Sequence, residues 1–111
     1  MTTYDTATAG DIGDYRGPIT LDGVDTLTNA DRVYARVWRP GDVTVTLDAT
    51  ILDAAARTVR LDLGDNDGWL ANLRLPAGHI ARYNVAWSVE FTDGSLWTWG
   101  EVDTLPVRGR P

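Results

Sequence analysis

Along much of the chain apolar and polar residues alternate, the period that sends successive side chains to opposite faces of a strand. In 32–39, Val33, Ala35 and Val37 share one side, Arg32, Tyr34, Arg36 and Trp38 share the other, and Pro40-Gly41 ends the run. In 43–51, Val43, Val45, Leu47, Ala49 and Ile51 oppose Thr44, Thr46, Asp48 and Thr50, the pattern of a half-buried antiparallel strand. After a local turn at 53–56, Val59, Leu61 and Leu63 alternate with polar residues. A second turn, Gly64 to Gly68, leads to Trp69, Ala71, Leu73 and Leu75, set against Leu70, Asn72 and Arg74. Val85, Trp87, Val89 and Phe91 then alternate with Ala86, Ser88 and Glu90, and a closing segment follows at 95–102. The helix-like stretch Leu52 to Arg57 is too short to stand as a helix. About seven short strands, separated by turn residues, predict an all-β domain over 19–111: a single immunoglobulin-like antiparallel β-sandwich.

The sharpest local signal is W-S-V-E-F-T-D-G-S-L-W-T-W, residues 87–99, where Asp93-Gly94 predicts a hairpin turn. Its register decides where two tryptophans point. A two-residue turn pairs Phe91 with Leu96 and puts Trp97 and Trp99 on the solvent face. A three-residue turn, with Gly94 left-handed in a bulge, pairs Phe91 with Ser95 and puts them on the core face with Val89 and Trp87. Burying an aromatic ring contributes roughly 4–6 kcal/mol at ~25 cal/mol per Å2, which favours the second register. The functional alternative sets at least one of the two rings in a contact with another chain, together with the Arg32/Tyr34/Arg36/Trp38 face. A strand that already offers three aliphatics to a core has no use for two buried arginines beside Tyr34 and Trp38.

Residues 1–18 mix Gly, Asp and Thr without a regular period and read as an irregular N-terminal arm. Two readings of it stand: a frayed terminus, or an arm that Tyr4, Ile12 and Tyr15 anchor on a neighbouring subunit.

The chain has 111 residues, no cysteine, one histidine and a net charge of −6, and all ten basic residues are arginine. Disulfides and thiolate metal sites are excluded, and an acidic chain is a poor unaided ligand for nucleic acid. No apolar run reaches the length of a membrane span, and the first residues lack the charged and apolar regions of a signal peptide. The expectation is synthesis in the cytoplasm with no contact with nucleic acid or membrane. His79 follows Pro-Ala-Gly and reads as a loop tip. Neither Ser88 nor Ser95 has nucleophile context, so no catalytic residue and no cofactor is assigned. Asp62, Asp65, Asn66 and Asp67 before Gly68 are the best metal candidates, for calcium, although the spacing is not that of an EF-hand and a turn is the simpler account.

Three groups of residues carry a resemblance: Gly10-Asp11; Asp22-Gly23 with Leu27-Thr28 and Ala30; and Tyr83, Trp87, Val89, Phe91, Asp93 and Gly94. Together they resemble the small immunoglobulin-like domain at the N-terminus of phage upper baseplate proteins, also found among phage minor tail proteins. The chain departs from that pattern at Trp97-Thr98-Trp99, where the family has a Thr-Pro-rich return. The resemblance implies a structural protein of the virion, in the tail, baseplate or head-tail region, assembled in the host cytoplasm. Its implied partners are other phage structural proteins and further copies of itself in a symmetric assembly. The competing readings are a capsid decoration protein and a carbohydrate-binding module, for which Trp69 beside Asp65, Asn66 and Asp67 would serve as platform. Arginines interleaved with aromatics favour a protein partner over a glycan.

Overall fold

The structure, a computed structural model, describes residues 2–64 and 68–111. Among these residues eight strands form: β1 (Ala7–Thr8), β2 (Tyr15–Thr20), β3 (Ala30–Trp38), β4 (Val45–Asp53), β5 (Thr58–Asp62), β6 (Ile80–Phe91), β7 (Leu96–Thr98) and β8 (Asp103–Arg108). A one-turn helix, α1 (Trp69–Asn72), lies between β5 and β6. The protein is all-β and sandwich-like. One curled sheet runs β1-β8-β6-β3-β4-β5-β2, and β7 also pairs with β6. Each strand pairing is antiparallel except that of β1 with β8.

The sheet turns over along β4. Its first half, Val45 to Asp48, pairs with β3, and its second half, Ala49 to Asp53, pairs with β5, so one strand serves both layers. Strand β6 carries β8 beside its first half and β7 beside its second, and residues 100–102 bulge out where the register slips between them. Alternation fixes the faces as the sequence predicts. Val33, Ala35 and Val37, Val59 and Leu61, and Val85, Trp87 and Val89 are buried between the layers. Leu21 and Leu27 close the core at one end and Leu63 and Leu70 close it at the other, all four fully buried.

Two expected segments differ. Residues 69–75 are not a strand: Gly68 takes φ +69°, a one-turn helix follows, and Leu70 is the side chain that fills the core. Val43, expected on the core face of the second strand, is 85% exposed, because pairing begins only at Val45.

The N-terminal region departs furthest from expectation. It contributes β1 and β2 to the sheet, so sandwich structure begins well before residue 19. Its anchoring polar group is Tyr4, whose hydroxyl donates to Asp103 Oδ2 at 2.5 Å and accepts from Trp87 Nε1 at 2.9 Å. Asp103 Oδ1 accepts from the Thr2 amide at 2.9 Å. Both Tyr4 and Asp103 are buried, and burial together with the neighbouring carboxylate pushes the Tyr4 phenol far above its ordinary value. A carboxylate out of water is tolerated here because donors meet both of its oxygens.

The hairpin adopts the three-residue turn. The Phe91 amide donates to Ser95 O at 2.9 Å, Gly94 has φ +88°, and Val89 stands opposite Trp97. No atom beyond its chain neighbours lies within 4 Å of a Cβ built on Gly94, so a substitution there costs backbone strain alone. Gly94→Val therefore lowers stability by more than about 1 kcal/mol in urea unfolding; an unchanged midpoint would contradict the left-handed turn.

Candidate binding surfaces

The outer face of the sheet is built on β3. Arg32, Tyr34, Arg36 and Trp38 point away from the core because Val33, Ala35 and Val37 point into it. Their neighbours on β6 are Glu90, Ser88, Ala86 and Asn84, in that order. The last three are short, so the β3 side chains stand over a low floor, and they and their neighbours shield Ser88 and Ala86 from solvent. Arg32 is committed: its Nε lies 2.7 Å from Asp48 Oδ1, and its guanidinium sits over the Tyr34 ring at 4.5 Å. Arg36 and, farther along β6, Arg82 are exposed and make no ion pair among the described residues. Tyr34 and Trp38 are half-buried. The face is thus rigid in its strand, aromatic, and locally basic on an acidic chain.

Trp97 and Trp99 leave β7 on the core side, where Trp97 stands opposite Val89 and the Trp99 amide donates to Trp87 O. They stack on each other with centroids 6.5 Å apart and planes 26° apart. Each is half-buried, because β7 lies at a border of the sandwich and its rings reach the rim. Trp97 lines a groove of about 380 Å3 between the 23–29 loop and the hairpin turn. Trp99 lines another, of about 420 Å3, beside β2 and the N-terminal segment.

The three proposed arm anchors part company. Tyr4 is 8% exposed and belongs to this chain's own core, which corrects its reading as an anchor on a neighbouring subunit. Ile12 is 81% exposed in a loop, and Tyr15, 51% exposed on β2, lies under the Arg60 guanidinium at 5.1 Å. The structure therefore does not gather Tyr4, Ile12 and Tyr15 into one patch, nor does it join them to the β3 face.

Of the calcium candidates, Asp62 has both oxygens engaged, Oδ1 with Arg60 Nε at 2.6 Å and Oδ2 with Thr50 Oγ1 at 2.7 Å. Asp65, Asn66 and Asp67 lie outside the described residues. Trp69 is not a free platform: it packs edge-on against Tyr83 with centroids 5.3 Å apart. His79 lies exposed in the turn before β6.

The alternation did not reveal the polar rim of the Trp97 groove, where Asp25, Thr26 and Asn29 approach Asp93 and Ser95. The one available hint was their position in turn-forming segments, next to an aromatic whose register was open. No protein-family model, curated protein or solved structure matches the chain.

Proposed function

We propose that this protein is a docking subunit of a bacteriophage particle, in the tail, baseplate or head-tail region, holding its neighbours through the outer face of β3. The observation that carries the reading is the Arg32/Tyr34/Arg36/Trp38 stripe, aromatic and cationic, with no second layer over it among the described residues. Trp, Tyr and Arg are the residues that dominate contact energy between proteins. The phage assignment itself rests on the turn and hairpin motifs at Asp22-Gly23, Tyr83, Trp87 and Asp93-Gly94. Docking of this kind needs no reacting group, and none is assigned.

The charge of the face narrows the partner. With Arg36 and Arg82 making no ion pair among the described residues of a chain of net charge −6, the face complements an acidic surface, and the remainder of the protein's own surface is one. A contact between this face and a different face of the next copy is heterologous, and such contacts form a ring where the rotation between copies closes and an open filament where it does not.

Sedimentation velocity at graded protein concentration and salt tests this. Association should rise with concentration, weaken as the Debye length shortens from about 10 Å at 0.1 M to about 3 Å at 1 M salt, and vanish in Arg36→Glu. Arg36 is exposed, so its melting temperature should stay within a few degrees of the parent's. Trp38→Ala should weaken association more than folding; a large drop in melting temperature would place Trp38 in the core instead. A protein that stays monomeric throughout, or an Arg36→Glu variant that associates as the parent does, would remove the reading.

A further inference from the structure

The groove at the hairpin end of the sandwich goes beyond docking by the β3 face, from which it is separated by the sheet itself. Its walls are unlike. Trp97, Val24 and Phe91 give an apolar side, and Gly23 packs beside the indole, where a Cβ built on it would stand in ordinary contact, 3.8 Å from Trp97 Cζ2. The opposite rim is polar, with Asp25, Thr26, Asn29, Asp93 and Ser95. Both parts of the rim are held in place. The Thr92 amide donates to Asn29 O at 3.0 Å, tying the 23–29 loop to the hairpin. Asp93 Oδ1 accepts from the Ser95 amide at 2.8 Å and from Ser95 Oγ at 2.6 Å, and these bonds hold its carboxyl below the usual range, so it stays ionised. Asp25 and the Asn29 amide group make no side-chain hydrogen bond among the described residues and are free to meet a ligand.

From this arrangement we infer that the groove binds a neutral hexopyranose unit, stacked on Trp97 and hydrogen-bonded through its hydroxyls to Asn29 and Asp25. A sugar ring has an apolar C–H face and a polar edge, and the groove offers one wall to each. Hydroxyls both donate and accept, and so does the rim: carboxylates accept, the Asn29 amide group does both, and the Ser95 hydroxyl, its proton given to Asp93, accepts. Among the described residues no cationic side chain lines the groove, which disfavours phosphorylated or acidic ligands. Its volume, about 380 Å3, is within the range of small-molecule sites. Trp99, stacked on Trp97, lines a second groove with Thr20 and Asp22.

Isothermal titration calorimetry of the intact chain against glucose, maltotriose, cellotriose and chitotriose tests the inference, with arginine methyl ester as the cationic competitor. The expected result is saturable binding of at least one trisaccharide, tighter than that of its monosaccharide, weakened about tenfold or more by Asn29→Ala and lost in Trp97→Ala. Asn29 and Asp25 are exposed, so Asn29→Ala and Asp25→Ala decide the matter even where Trp97→Ala does not fold. The inference is overturned by absence of saturable binding across the panel, by binding that both exposed-residue variants retain in full, or by arginine methyl ester binding as tightly as the best sugar. Because these variants leave Arg36 and Trp38 untouched, failure here is separable from failure of the docking reading.

Discussion

Removal of residues 1–10 is expected to leave a chain that is unfolded at 37 °C or that melts more than about 20 °C below the parent. The segment carries Tyr4, Ala7 and Ala9 of the core and all of β1. Burial of the Tyr4 ring alone contributes roughly 4–6 kcal/mol on an area basis, set against a total of about 5–15 kcal/mol for a domain. The truncation also removes both donors to the Asp103 carboxylate, Tyr4 Oη and the Thr2 amide. At about 4–8 °C per kcal/mol for a small domain, the shift is large. Thermal unfolding followed by circular dichroism gives the answer, and a truncated chain melting within a few degrees of the parent would mean that the segment is dispensable after all. Tyr4→Phe isolates the hydroxyl: it keeps the ring and should cost about 1–3 kcal/mol, because Asp103 Oδ2 and Trp87 Nε1 lose their shared partner. Alkaline pH acts on the same group. An unfolded tyrosine releases its proton near pH 10, whereas the folded chain retains the Tyr4 proton, so this group's contribution falls as pH rises above about 10.

Gly109→Ala should be nearly as damaging, for a different reason. A Cβ there would stand 2.0 Å from Pro76 O, 2.8 Å from Pro76 C and 2.9 Å from Leu75 O, so each obstacle is backbone. Neither side can yield easily, since the Gly109 amide donates to His79 O at 2.7 Å and Gly109 O accepts from the Gly78 amide at 3.1 Å. Overpacking costs about 1–3 kcal/mol where side chains can move, and the upper end or beyond is expected where they are not what must move. Arg108→Ala, one residue earlier and exposed, should change stability by less than about 0.5 kcal/mol. Equal melting temperatures for the two variants would show that the 76–79 turn does not close on Gly109.

Where side chains alternate over a long paired strand, the sequence was a sufficient guide. The faces of β3, β5 and β6 follow from period two alone, because one wrong step would put Val33 or Trp87 in water. The hairpin register followed from a burial argument, since only one pairing lets Trp97 lie against Val89. What escaped was set by distant partners. Nothing local marks Tyr4 as a core residue; its burial depends on Asp103 and Trp87, far along the chain. Residues 69–75 alternate as a strand would, yet Gly68 starts a helical turn and the core needs a plug there more than another ladder. Strand β8 went unpredicted because Thr104 and Pro106 interrupt a run whose backbone is sheltered between β6 and β1. The candidate surfaces divide in the same way: the β3 stripe can be read from alternation, whereas the Trp97 groove needs two loops brought together.

The parallel pairing of β1 with β8 bears on the order in which the molecule is made. Ala7 and Thr8 leave the ribosome early, but the residues they pair with, Val107 and Arg108, are translated about a hundred codons later. Until then Tyr4 has no carboxylate to meet and the edge of β6 stands bare. The nascent polypeptide must therefore wait with this end of its sheet unsealed, and that interval is when a chaperone or a premature neighbour has access to it.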